Sequence, residues 1–173
     1  MEPLNSEDIN KAAIREPRLS CELVRSLFDY GPLEGILIRI KSSRKDMLGP
    51  VRNFRTWVNG EVYFTSRLIW LHQHGKHPTG LIDHIDRNPD NNRIENLRDV
   101  TPTQNQYNKV QANIHGYKGV TWRNRKSKPW LAKIRVDGTR INLGSFATKE
   151  EAALAYEKAA FRYHGEFAQL GVK

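Results

Sequence analysis

Asp83-His84-Ile85-Asp86-Arg87-Asn88-Pro89-Asp90-Asn91-Asn92-Arg93-Ile94-Glu95-Asn96-Leu97 is the stretch on which the reading of this 173-residue chain turns. Residues 81–85 are apolar and β-branched around an Asp-His pair, which predicts a short strand. Residues 86–92 are nearly all Asn, Asp and Pro, so they form a loop. Thr101-Pro102-Thr103-Gln104 reads as a helix start, with Thr101 as N-cap, Pro102 at the first helical position and Gln104 closing a capping box. Asn105 then falls in the first turn of that helix. The predicted order is strand, loop, short strand, helix.

That order suits phosphodiester chemistry, which needs an activated water, a counter-charge for the phosphorane and help for the leaving oxygen. An imidazole is the natural base near neutral pH, so His84 is the candidate. Asp83 offers a carboxylate oxygen and Asn105 an amide oxygen to a divalent cation. Two such ligands, completed by water and phosphate, suit magnesium, with manganese as the alternative. Neighbours on a strand point to opposite sides, so Asp83 and His84 approach the site differently. Asp86, Asn88, Asp90, Asn91 and Asn92 are read as turn chemistry rather than as ligands.

The stretch resembles the HNH nuclease motif, and the resemblance runs from about residue 20 to 110, taking in Arg67-Leu68-Ile69-Trp70 and Gly75 upstream. It implies a ββα-metal module, His84 as general base, Asn96 as the residue orienting it, and Asp83 and Asn105 as metal ligands. Ser66 departs from the pattern, since many relatives carry histidine just before the Arg-Leu pair. A bacteriophage or mobile-element setting, as a homing-type endonuclease, follows from the same resemblance.

Upstream, Ser20 is a predicted N-cap for a short helix carrying Glu22, Leu23, Leu27 and Phe28 and ending near Gly31-Pro32. Residues 33–40 read as a strand pair with Gly35 at a bend, and 42–50 as a polar loop. Asn59-Gly60 between β-formers is a hairpin signal. Residues 67–74 form a helix, with Gly75 as its C-terminal cap. His72, His74 and His77 have spacing that could bind a transition metal, but no Cys or acid completes a zinc site, and a helix end is the simpler reading. Residues 1–19 read as a loosely ordered arm. His115 and His164 read as lone and unremarkable.

Downstream the pattern changes. Residues 119–125, 130–136 and 140–146 read as three strands, with Asp137-Gly138 turning between the second and third. Thr148 and Glu151 then open a helix whose inner face is Ala152, Ala155, Tyr156, Ala159 and Tyr163. Strand alternation puts Val120, Trp122, Ala132, Ile134, Val136, Ile141 and Leu143 inside. It puts Thr121, Arg123, Arg125, Leu131, Lys133, Arg135, Arg140 and Asn142 outside, as a face broad enough for a DNA groove. Between Gly116 and Thr148 the one acidic residue is Asp137. Gly116-Tyr117-Lys118-Gly119-Val120, Trp130-Leu131-Ala132-Lys133-Ile134, Leu143-Gly144-Ser145-Phe146, Glu151-Ala152-Ala153-Leu154-Ala155-Tyr156 and His164-Gly165-Glu166-Phe167-Ala168 resemble, in order, the ethylene-response-factor (Apetala-two) DNA-binding domain. Thr121 stands where the plant domains have arginine, so their base preference does not transfer.

The whole chain agrees with this reading. Lys plus Arg exceed Asp plus Glu by 28 to 19, a formal charge of +9, which favours a polyanionic partner. A hydrophobic fraction of 38% favours two modest cores over one large one. The single cysteine, Cys21, excludes a disulfide within the chain and a Cys-based zinc site. No apolar run reaches membrane-spanning length and the N-terminus has no secretion-signal pattern, so a cytoplasmic protein is expected. The expected fold is α+β: an arm (1–19), a nuclease domain (20–110), a linker (111–115) and a DNA-binding domain (116–173) of three antiparallel strands on one helix. The expected function is metal-dependent cleavage of double-stranded DNA, with no membrane and no protein partner required. A truncation ending near Val110 is expected to keep a folded active site. The rival reading is a non-catalytic DNA-binding regulator using the same scaffold.

Overall fold

The computed structural model describes residues 19–109 and 116–168. The arm before Leu19, the linker and His115 lie outside the described residues. The architecture is mixed α/β, with small antiparallel sheets, and contacts divide it into two compact units, Met1–Thr101 and Pro102–Lys173. No helix of the described residues is long and apolar enough to cross a membrane.

In the first unit, helix α1 (Cys21–Leu27) starts at Ser20, whose hydroxyl accepts the Leu23 N–H at 3.1 Å. The helix was expected to continue past Phe28. Instead Phe28 opens strand β1 (Phe28–Gly31), which pairs antiparallel with β2 (Ile36–Arg39), itself paired with β3 (Gly49–Val51). Phe28 is 1% exposed in the strand, so tertiary burial wins over weak local helix preference. The loop expected over 42–50 holds a short 3-10 turn, Lys45–Met47, as well as the start of β3. Strands β4 (Arg55–Val58) and β5 (Glu61–Phe64) flank Asn59-Gly60, both at positive φ (49° and 82°), as a type I′ hairpin requires. Helix α2 (Thr65–His74) ends at Gly75, in the left-handed region with its N–H on the Leu71 carbonyl. Strands β6 (Leu81–His84) and β7 (Leu97–Val100) pair in the register Asp83↔Arg98 and His84↔Leu97. Val24, Phe28, Leu37, Leu68, Ile69 and Leu97 make the core.

In the second unit, helix α3 (Pro102–Asn108) precedes the sheet. Strands β8 (Val120–Trp122), β9 (Trp130–Val136) and β10 (Thr139–Phe146) lie in the order β10-β9-β8. Asp137-Gly138 makes the turn between β9 and β10, at φ 46° and 82°. Helix α4 (Lys149–His164) packs on all three strands and begins with the predicted capping box of Thr148 and Glu151. Its buried face is Ala152, Tyr156, Ala159, Ala160 and His164, with Ala155 partly buried. Tyr163, expected on that face, is 40% exposed, and His164 takes its place. Helical spacing explains the exchange, because Tyr156, Ala160 and His164 recur every four residues along one stripe. Trp122, expected inside, is 50% exposed at the end of a first strand that stops three residues early. The chain leaves the sheet there into a loop held by the Arg123 N–H on the Pro129 carbonyl at 2.8 Å.

Gly119 and Gly138 both have positive φ, but only Gly119 is crowded: a Cβ there would meet the Tyr156 ring at 2.2 Å and the Lys133 carbonyl at 2.4 Å. At Gly138 a Cβ would meet nothing within 4 Å. Gly138→Ala is therefore expected to cost about 1–2 kcal/mol of left-handed backbone strain. Gly119→Ala adds overpacking of about 1–3 kcal/mol to the same strain. Chemical denaturation of both variants checks this, and equal costs would contradict it.

Candidate functional site

The Asp-His pair sits at the end of β6, where its partner strand and the 86–93 loop converge. Asp83 is buried and faces Arg98 across the sheet. The guanidinium holds one carboxylate oxygen from two nitrogens, Nε at 3.0 Å and Nη2 at 2.9 Å. His84 is half-buried, and its Nε2 lies 3.0 Å from the Asn92 side-chain oxygen. Asn92 was read as turn chemistry alone, yet it holds the imidazole. An Asn eight positions on, at the far end of a loop returning to the same strand, is the signal that could have singled it out.

Asn96 is 8% exposed and ties the loop shut. Its amide nitrogen donates to the Asp86 carboxylate at 2.9 Å and to the Asn91 carbonyl at 2.7 Å, while its side-chain oxygen accepts the Asp86 N–H at 3.0 Å. Its own carbonyl accepts the Ile85 N–H at 2.9 Å. The residue after His84 is thereby held by the backbone of Asn96, and the loop following by its side chain. Asp86 is the hub of the loop, accepting also from Asn88 N–H and the Asn91 amide. Desolvation pushes its carboxyl up. The bonds from Asn91, Asn88 and Asn96, with His84 nearby, outweigh that and hold it below the usual range. These bonds bear out the turn role read for Asp86, Asn88 and Asn91.

Three residues brace this loop from the first hairpin. The Tyr30 hydroxyl accepts the Ile94 N–H at 2.9 Å and donates to the Asn92 carbonyl at 3.3 Å. Arg93 Nε donates to the Leu33 carbonyl at 2.7 Å. Gly35, at φ 67°, lets the turn pass so close that a Cβ would lie 2.4 Å from the Arg93 nitrogen. The start of β6 is set by Asp99, which accepts from Thr79 N–H, Thr79 hydroxyl and Gly80 N–H at 2.6–2.8 Å. Arg67 reaches the Gly80 carbonyl from α2 at 2.7 Å.

Asn105 lies half-buried on α3, within the second unit. The sequence placed this helix at the end of the first domain. Its contacts are with the sheet unit: Tyr107 stacks on His164 at 3.7 Å and 9°, and Lys118 Nζ donates to the Tyr107 and Lys109 carbonyls at 2.8 and 2.9 Å. Burial pushes the Lys118 pKa down to about 8. His164, read as unremarkable, is 5% exposed and donates from Nε2 to the Arg135 carbonyl at 2.9 Å.

Thr121, Arg123, Arg125, Arg135, Arg140 and Asn142 are exposed and Lys133 half-exposed. Arg123 and Arg125 stand on the loop after β8 rather than on the strand, because β8 ends at Trp122. Arg140 pairs directly with Arg135 and Asn142 with Lys133 across β9 and β10. Like charges directly opposite destabilise a sheet unless an anion sits between them. Among the described residues, no carboxylate pairs with Arg123, Arg125, Lys133, Arg135 or Arg140. A cleft of about 500 Å³ is lined by Thr121, Lys133, Arg135 and Arg140 from the sheet, with Lys118, and by Gln106 and Tyr107 from α3. Leu131, which alternation placed on the outer face, lines the cleft but is buried at 2% exposure.

The histidines of the alternative metal reading are otherwise engaged. His72 Nε2 meets the Phe28 carbonyl at 3.2 Å, His77 Nε2 the Leu19 carbonyl at 2.7 Å, and His74 packs on Trp70 with centroids 4.0 Å apart. Among the described residues, no group of three or more His, Cys, Asp or Glu side chains is placed to hold a metal.

Comparison with known proteins gives two family matches: residues 63–107 match an HNH endonuclease model and residues 115–166 an AP2 domain model. Protein 3.8 of Escherichia phage T7 is 33% identical over 105 residues, 59% of this chain and 85% of that protein. An uncharacterized HNH endonuclease of Acanthamoeba polyphaga mimivirus is 36% identical over 96 residues, 54% of this chain and 49% of that protein. Dehydration-responsive element-binding protein 2E of Oryza sativa is 52% identical over 58 residues, 32% of this chain and 18% of that protein. No solved structure matches the chain.

The Asn96 side chain makes three of the bonds that close the loop, so Asn96→Ala is expected to cost about 2–3 kcal/mol, leaving buried partners unsatisfied. Asn88→Ala, on the exposed rim, is expected to stay within about 1 kcal/mol. Denaturation, with hydrogen exchange at the Asp86 amide, separates the two. Equal stability of the variants would contradict the assignment of Asn96 as the closing residue.

Proposed function

We infer the function from one premise: this chain belongs to the HNH endonuclease family, and its HNH domain is followed by an AP2 domain. It is a DNA nuclease. The finer reading is a metal-dependent cut of double-stranded DNA, made by a ββα-metal site with His84 as general base. The observation that carries it is the half-buried His84 held through Nε2 by Asn92 at the mouth of a loop that Asn96 closes.

The donor set fits a hard cation. Asp83, whose carboxylate is oriented by Arg98, and Asn105, on α3, would each offer it an oxygen. A pair of protein oxygens suits magnesium, which keeps several waters, better than a soft transition metal. When bound, the cation supplies positive charge to the phosphate and to the departing oxygen. The residues of the chain do the rest. His84 takes the proton of the attacking water. Asn92 fixes the plane of its ring, and Asn96 fixes the chain on either side of the loop. The cations of the sheet face, Lys133, Arg135 and Arg140, with Arg123 and Arg125 on the loop after β8 and with Thr121 and Asn142, hold phosphates and read base edges. The phage relative fits a setting in the cytoplasm of a host cell.

His84→Ala is expected to lower nicking of a supercoiled plasmid by about 100- to 10,000-fold, with duplex affinity unchanged. Wild-type cutting by this variant would remove His84 as the base. Asp83→Ala and Asn105→Ala are expected to lose activity and recover part of it at high magnesium or manganese; unchanged metal dependence in both would end the ligand assignment. In the His84→Ala background, Arg135→Ala with Arg140→Ala is expected to flatten the slope of log affinity against log salt by about 1.8, at roughly 0.9 per phosphate contact. An unchanged slope would mean that this face is solvated surface.

A further inference from the structure

We propose that Gln106 is a specificity-determining residue: its side-chain amide reads one adenine in the major groove of a duplex held on the basic sheet face. The inference rests on the reading of that face as the DNA-binding surface, and every residue it uses belongs to the second unit.

The cleft of about 500 Å³ on this face is lined by groups of two kinds. Arg123, Lys133, Arg135 and Arg140 bring guanidinium and ammonium groups, which donate hydrogen bonds and accept none. Phosphate oxygens accept and do not donate, so these cations are complete partners for a DNA backbone. Gln106, from α3, is exposed and lines the same cleft. Its amide presents a donor and an acceptor side by side in one plane. Against a phosphate the acceptor is wasted. Against the major-groove edge of adenine both are used, because N6 donates and N7 accepts. The other lining hydroxyls do not compete for this task. Tyr107 spends its own on Asp137, accepting the backbone N–H at 2.9 Å and donating to the carboxylate at 3.3 Å. Thr121 offers one atom that accepts and donates alike, so it selects no base.

Readout by a long side chain also needs rigid support, since each freely rotating group loses entropy on binding. Helix α3 spans seven residues, too few to hold its shape by propensity. The support comes through the next residue. The Tyr107 ring lies flat on the buried His164 ring, with centroids 3.7 Å apart and 9° between the planes. Lys118 is 7% exposed and donates to the carbonyls of Tyr107 and Lys109 at 2.8 and 2.9 Å. The backbone beside Gln106 is thereby fixed, while its side chain stays open to the cleft.

The test uses the full chain carrying His84→Ala, so that bound duplex is not cut. Selection from randomised duplexes gives the preferred site, and competition anisotropy then measures every single-base change within it. Gln106→Ala is expected to erase an adenine preference at one position, a change of about 5- to 100-fold. Preferences elsewhere should persist, and the slope of log affinity against log salt should not move, because no phosphate contact is lost. Alanine favours a helix more than glutamine does, so α3 is kept. Gln106→Glu keeps the acceptor and loses the donor, and should move the preference at that position from adenine to cytosine, whose N4 donates. Equal weakening on all sequences with a flatter salt slope would mark a phosphate contact and overturn the inference. Unaltered preference at every position would overturn it too. Arg135→Ala with Arg140→Ala tests the premise separately. If that pair leaves the salt slope unchanged, the sheet-face reading fails and the inference with it; if the slope flattens while Gln106→Ala keeps every preference, the inference alone fails.

Discussion

The closure of residues 86–92 by one buried amide is the constraint on which the nuclease unit depends. An Asn/Asp-rich loop has many turn conformations of similar energy, each with its own local hydrogen bonds. Asn96 selects one by using both ends of its amide at once, with Asp86 on one side and Asn91 on the other. This choice carries Asn92 to the ring of His84 and sets the register by which Asp83 meets Arg98. Tyr30 and Gly35 then confine the loop from the first hairpin: the tyrosine by bonding its backbone, the glycine by leaving room for it.

The second unit is governed by electrostatics left unsatisfied. Arg135 and Arg140 face one another across two strands, and the neighbouring cations have no carboxylate among the described residues. The alanine-lined packing of α4 supplies the stability that tolerates this repulsion, since Ala152, Ala159 and Ala160 bring the helix close against the sheet. A polyanion seated on this face would relieve that repulsion without new apolar burial.

Turn chemistry made much of this legible in the sequence. Asn59-Gly60 and Asp137-Gly138 are where the hairpins turn, Gly75 ends its helix, and Thr148 with Glu151 starts another. These signals act within four or five residues, so local sequence suffices. What escaped was tertiary. Phe28 left its helix for a strand because the core needed it, and Trp122 was turned outward by an early strand end. His164 looked solitary because its partner, Tyr107, lies far away in sequence. Asp83, His84 and Asn105 stood out by residue type and Asn96 by the resemblance, whereas Asn92 and Tyr30 act through contacts that loop closure alone creates.

Helix α3 shows why motif boundaries and folding boundaries differ. The nuclease match runs through residue 107, while the contacts divide the chain between Thr101 and Pro102. A motif match follows the order of residues in the chain, wherever those residues fold. Contacts follow burial, and a seven-residue helix with half-buried Asn105 and Tyr107 finds too little to bury by itself. It takes the missing stabilisation from His164, Asp137 and Lys118, all supplied by the DNA-binding domain. A chain ending near Val110 would retain the motif residues yet lose every one of these contacts. The family matches and the compact units therefore divide the chain at different places, and α3 is where they disagree.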